Sequence, residues 1–366
     1  MNRRDFLKGG LGAATLAAAG GASGATRPAD ASAGDGALVD LGPTITDFEV
    51  RTSTVQKGRK AHFFIDDAIW FLRDITRQRP KSIFDTPFMK GLKEAHDRWG
   101  LKVQINLFYR TDFFYGMDEF KLADVTDAYK AEWKANADWI KFGMHSLQEF
   151  PDYPFVNASY DDVKKLCGMI FGEVARFAGA EMCAKAVVPH WLPISKDGCR
   201  ALADCGMKVV SSSYGPRYAY DGDPGQLPYG HSFRLVCNRK PETAVFRRGN
   251  NAASALRSSI SGYNHLPEAQ TILTQGTFKT IYDRDTRISY KRFCNAPCLN
   301  LYSKDAVVPA FEKVFGSEFI GFADHEQYFF PEYFAYQPDY MEKIHVSAKW
   351  LHNNGYGFIF MEDIIE

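Results

Sequence analysis

"AHFFIDD", residues 61–67, decides how the rest of the chain is read. Its apolar residues follow one another without polar alternation, so the stretch reads as a strand buried on both faces, as in parallel sheets. It then stops at two adjacent carboxylates, Asp66 and Asp67.

Outward from this strand the same rhythm repeats. Residues 85–100 carry apolar side chains at helical spacing, with a proline in the first turn and Gly100 as a stop. Strands are expected at 102–109, 140–145, 184–190 and 207–213, with helices at 124–140, 159–179 and 195–206 between them. Later, helices at 303–316 and 338–355 alternate with strands at 318–326 and 356–363. Buried strands alternating with helices predict a parallel α/β sheet, closed or open. Residues 214–300 break the rhythm with turns such as "DGDPG" and "RRGNN" and read as an antiparallel insertion on one edge of a single domain spanning 34–366.

Composition narrows the function. Lysine plus arginine and aspartate plus glutamate both total 44 in 366 residues, and no basic stripe is present, which argues against nucleic acid as a partner. The chain is 45% hydrophobic, enough for a large core, and most of its 29 phenylalanines and 18 tyrosines are expected there, although aromatics in surface loops are also how proteins stack on sugar rings. At the N-terminus "NRRDFLKGG" precedes a mild apolar run, a pattern resembling a twin-arginine export signal. Residues 1–33 are read as that signal and its linker, too short in apolar length for a stable membrane span. The product is then expected in the periplasm, the cell envelope or outside the cell. Seven cysteines, an odd number in a long chain, read mostly as buried thiols; Cys294 and Cys298 could also pair or form half of a zinc site.

In parallel α/β folds the functional side chains lie at the carboxyl ends of strands. Four expected strands end in ionisable groups: Asp66-Asp67, His145, His190-Trp191 and Asp324-His325-Glu326. Singly each has a plainer reading, as a helix cap, a core histidine or packing. Together they predict one site.

The order of these motifs resembles the NodB-type polysaccharide deacetylases. "FFIDD" looks like that family's Asp-Asp motif, "HSLQE" its histidine motif, "VVPHW" its proline-containing groove motif and "FADHEQ" the late strand with a catalytic histidine. The resemblance covers roughly 60–213 and, more faintly, 300–363. It implies a distorted (β/α) barrel of about seven parallel strands and attack of water on an acetamido or ester carbonyl with help from a divalent metal, zinc or manganese. Asp66 would be the general base, Asp67 and His145 metal ligands, and His325 the general acid. Trp70, Trp191 and Tyr214 would stack on the sugar, with His190 and Glu326 as further substrate contacts.

Two departures bear on the chemistry. The groove motif lacks the family's arginine, with His190 the residue that could substitute. Glu149 stands where a second histidine ligand belongs, four residues after His145, so the expected triad is Asp67, His145 and Glu149. Two carboxylates and one imidazole make a harder site and move preference from zinc toward manganese. Two other readings stay open. Asp66, Glu149 and Glu326 could supply a carboxylate pair for metal-independent glycoside hydrolysis, or the chain could bind carbohydrate without turnover. The expected partner is a carbohydrate, and the oligomeric state is open.

Overall fold

The computed structural model describes residues 47–111, 119–149, 154–155, 158–192, 194–211, 230–231, 246–247, 273–333 and 335–365. The export segment and Tyr214 lie outside these residues. In chain order the strands are β1 (Phe48–Thr52), β2 (Lys60–Ala68), β3 (Val103–Phe108), β4 (Ile140–Ser146), β5 (Ala186–Val187), β6 (Val209–Ser211), β7 (Gly230–His231), β8 (Phe246–Arg247), β9 (Lys279–Asp283), β10 (Ile288–Lys291), β11 (Phe319–His325) and β12 (Gly357–Phe358). The helices are α1 (Trp70–Gln78), α2 (Pro87–Trp99), α3 (Lys130–Ala135), α4 (Tyr160–Phe177), α5 (Lys196–Asp204), α6 (Lys304–Glu312) and α7 (Tyr340–Asn353).

The fold is mixed α/β with two five-stranded sheets. One is wholly parallel, in the order β11-β2-β3-β4, with β12 also paired to β2. The other runs β1-β9-β10-β6-β5; there β10, β6 and β5 are parallel, and β1 and β9 are antiparallel additions. These ladders do not form one continuous closed barrel among the described residues. Two isolated parallel bridges run between the sheets' territories, Phe142 with Cys183 and Cys298 with Ala323.

β2 is buried from Ala61 to Ala68, as its unbroken apolar run requires. Its neighbouring side chains go to opposite faces. Phe63, stacked on Phe322 at 4.5 Å, packs in the large core under the helices. Phe64 joins Val188, Val209, Phe293 and Ala323 in a second cluster drawn from both sheets. Gly321 makes the close approach of 293–298 to β11 possible: a Cβ there would fall 1.3 Å from the Phe293 carbonyl oxygen. The Asn295 and Ala296 amides instead donate to the Gly321 carbonyl.

Most expected elements fall within a few residues of their observed bounds. The helix expected at 124–140 shrinks to α3, because the Asn136 side chain bonds the Glu132 carbonyl and the Trp139 ring nitrogen just past its end. The strand expected at 184–190 pairs only at Ala186–Val187, since the chain turns at Pro189 with Trp191 and Leu192 both at positive φ. The last strand, expected at 356–363, is two residues followed by a 3-10 turn, Met361–Ile364. Within 214–300 the described pairs β7–β8 and β9–β10 are antiparallel, but β10 also lies parallel beside β6.

A helix does follow Asp66-Asp67, but α1 is capped from far away and not by that pair. Ile69 offers no side-chain cap. The Glu326 carboxylate, just beyond β11, accepts from the amides of Ile69, Trp70 and Phe71 at 2.7, 2.8 and 2.6 Å. It thereby satisfies three donors that a helix start leaves open. Among the described residues no helix is long and apolar enough to cross a membrane.

Candidate metal centre

The site is built where strand regularity fails. Between the pairs Ile65–Ile105 and Ala68–Leu107, β2 carries an extra residue, and between Leu107–Met144 and Phe108–Ser146 so does β4. These bulges fall on Asp66-Asp67 and on His145. A bulge re-aims side chains that strict alternation would send to opposite faces. Asp67 completes the turn with φ 58, a left-handed conformation costly outside glycine. As a result both carboxylates flank one imidazole: Asp66 Oδ1 lies 3.7 Å from His145 Nδ1, and Asp67 Oδ1 3.0 Å from His145 Nε2.

His190 comes in from the turn after β5, its amide bonded to the His145 carbonyl. Its Nδ1 stands 3.0 Å from His145 Nε2 and 3.3 Å from Asp67 Oδ1. The three form a buried group whose donor atoms all lie within 4.8 Å of one another, and it can hold a metal ion.

Protonation strengthens this reading. His145 Nδ1 donates to the Val188 carbonyl at 2.7 Å, and His190 Nε2 to the Glu149 carbonyl at 2.9 Å. A carbonyl only accepts, so both outer nitrogens carry the hydrogen. In the neutral rings, His145 Nε2 and His190 Nδ1 then present lone pairs, facing each other and the Asp67 oxygen. That oxygen is buried and lacks a hydrogen-bond partner. Three electron-rich atoms at such spacing repel unless a proton or a metal ion sits among them. Donors bonded to one ion at about 2.1 Å lie roughly 3.0–3.4 Å apart, which matches the triangle.

The charges around it agree. Burial works against ionisation of Asp67, but His145 and His190 outweigh it and hold the carboxyl well below its usual range. Burial likewise lowers His145, and the Asp66 and Asp67 carboxylates overcome it, so its proton is held more tightly than in water. Asp66 goes the other way. Burial raises its carboxyl more than His145 and His325 lower it, which makes it a readier proton acceptor. Its Oδ1 accepts from Asn106 Nδ2 at 2.7 Å; Asn106 is held in turn by Gln104.

The remaining expected residues take varied positions. No helical turn carries His145 and Glu149 together, because β4 runs through Ser146 and 147–149 is a bend. Glu149 is absent from the group of converging donors; its carboxylate accepts from Gln327 and its carbonyl from His190. His190, expected as a substrate contact, stands in that group instead. Trp70 is buried, edge-on to Phe330 and Tyr333, as the first residue of α1, a poor platform for an external sugar. Glu326 is fully buried on the α1 amides, and burial pushes its acid up to about 8 against them. Trp191 is half-buried beside His190. His325 ends β11 with Nδ1 3.1 Å from Asn300 Oδ1 and 3.7 Å from Cys298 Sγ. The six described cysteines, Cys294 and Cys298 among them, are free.

Four contributors escaped the sequence reading: Gln104, Asn106, Gly143 and Gln327. The first two left a signal, being amides in an otherwise apolar strand. Gly143 leaves room for them; a Cβ there would fall 2.1 Å from Asn106 Oδ1. No protein-family model matches the chain, and no curated protein matches it in sequence.

Proposed function

We propose that this chain is an exported, metal-dependent hydrolase of the carbohydrate-deacetylase type, removing acetyl groups from an acetylated sugar or polysaccharide. The observation that carries the reading is the triangle of Asp67 Oδ1, His145 Nε2 and His190 Nδ1, three buried lone-pair atoms at 3.0 to 3.3 Å. Two imidazoles and one carboxylate suit zinc better than the set with Glu149 would, so zinc stands ahead of manganese. A divalent ion there supplies a Lewis acid that polarises an acyl carbonyl and acidifies water.

The chain's own residues do the rest. Asp66, raised by burial and oriented by Asn106, takes the proton from the attacking water. His325, its Nδ1 held by Asn300, uses Nε2 to return a proton to the leaving nitrogen or oxygen. Trp191 lines the approach as the stacking surface. The carboxylate-only glycosidase reading is weakened, since Glu326 is committed to the α1 amides.

We also read the two sheets as one distorted barrel of seven parallel strands, β2, β3, β4, β5, β6, β10 and β11. Support comes from the two parallel bridges and from the apolar cluster that both sheets share. In that arrangement the ends of β2, β4, β5 and β11 meet at one mouth.

The test is acetate release from acetylated oligosaccharides, N- and O-linked, by protein loaded with zinc and by protein stripped with a chelator. Release that depends on metal and disappears in Asp67→Ala supports the proposal. Sugar release that resists chelation, or binding of sugar with no turnover, would replace it with one of the other two readings.

A further inference from the structure

We infer that Glu149 is a positioning residue rather than a ligand, and that its link to Gln327 sets the aim of His190. The inference rests on the metal centre proposed above. The bend at 147–149 presents the Glu149 carbonyl to His190 Nε2 at 2.9 Å, and this contact fixes the tautomer that turns the Nδ1 lone pair toward Asp67 and His145. A carbonyl in a short bend holds such a position only if the bend is anchored. Arg110 holds its first two residues, its amide donating to the Leu147 carbonyl and its Nε to Gln148 Oε1. At the third, the Glu149 side chain, 9% exposed, accepts from Gln327 Nε2. Gln327 is 3% exposed and lies two residues beyond His325, on the 3-10 turn Glu326–Phe329. One hydrogen bond therefore ties the segment that orients a ligand to the segment that carries the proposed acid. Outer-shell partners of ligating histidines act in this way, by fixing the ring and its tautomer.

The two roles for Glu149 predict opposite results. As an anchor it needs only an acceptor oxygen, so Glu149→Gln keeps metal affinity, whereas Glu149→Ala loses it. Gln327→Ala loses the same amount, about 10–100-fold, and the double variant is no worse than either single one, as expected when both act through one contact. The measurement is Co(II) and Zn(II) affinity of full-length protein by competition with a chromophoric chelator. The Co(II) visible spectrum reports ligand geometry, and the melting temperature of the metal-free form reports folding. Expected are a changed spectrum and weaker binding in Gln327→Ala, with metal-free melting within a few degrees of wild type. A Glu149→Gln variant that loses affinity while Gln327→Ala keeps it would make Glu149 a ligand and overturn the inference. Wild-type protein that binds neither ion would overturn the metal centre as well. Binding by wild type with no loss in Gln327→Ala or Glu149→Ala would overturn this inference alone.

Discussion

His145 Nε2 and His190 Nδ1 stand 3.0 Å apart, each on a ring whose other nitrogen donates to a backbone carbonyl. Two imidazole lone pairs brought face to face beside a carboxylate are unfavourable in an empty, neutral site. The arrangement is stable with a proton or a metal ion between them, and the exchange of one for the other underlies the first two expectations.

Removing a donor should remove the ion. Asp67→Ala or His190→Ala is expected to lower zinc affinity by at least about 100-fold, more than loss of an outer-shell partner costs. Chelation of wild type should lower the melting temperature, because an ion bound only to the folded state stabilises it. Equilibrium dialysis with elemental analysis, and melting with and without chelator, check this. One equivalent bound by His190→Ala at unchanged affinity would disprove the assignment.

Metal uptake should release a proton and strengthen with pH. Asp66 and Asp67 raise His145 above its ordinary 6.5, so below that raised pKa the metal-free ring holds a proton that must leave before Nε2 can ligate. Below the raised pKa the logarithm of affinity is expected to climb by about one per pH unit, and above it to level off. Calorimetry in buffers of different ionisation enthalpy counts the protons; a count of zero at pH 6 would contradict the account.

Asp66 and its support should affect turnover more than binding of the ion. Asp66→Asn is expected to cut acetate release by about 10²–10⁴-fold with metal content unchanged. Gly143→Ala, whose new methyl would displace Asn106, should reproduce part of that loss. Parallel metal assays and rates decide whether the defect lies in chemistry.

A separate acid sensitivity is expected from His62. It is fully buried between Phe64 and Phe293, with Nδ1 on the Ile359 carbonyl, and burial lowers its pKa from 6.5 to about 4. Between those values the unfolded chain takes up a proton that the folded one refuses. Stability is therefore full above about pH 6.5 and falls as the pH drops toward 4, by about 3 kcal/mol from this residue. Urea unfolding from pH 7 to 4, compared with His62→Gln, measures it. A variant with the same acid slope as wild type would rule His62 out as the cause.

The α1 cap offers a separate stability test. Glu326→Ala strands three buried amides, each costing about 1 kcal/mol or more, so a loss of about 3 kcal/mol is expected. A loss under about 0.5 kcal/mol in chemical denaturation would mean that water replaces the cap.

The sequence by itself determined the alternation of buried strands and helices, and the placing of Asp66, Asp67 and His145 at strand ends, with His190 just past another. Apolar runs, helical spacing and glycine stops are local signals, and burial obeyed them along β2, β3, β4 and β11. Only the tertiary structure decided which donors meet. The bulges on β2 and β4 turn Asp67 and His145 toward one point, and a hydrogen-bond ladder between distant segments sets where a bulge falls. His190 reaches that point from the turn after another strand, while Glu149, nearer in sequence, is drawn aside to Gln327, 178 residues on. Glu326 was legible as an acid at a strand end, but its partners are the amides of a helix more than 250 residues earlier. Spacing along the chain carries no information about such contacts, because they depend on which strands pair and in what register.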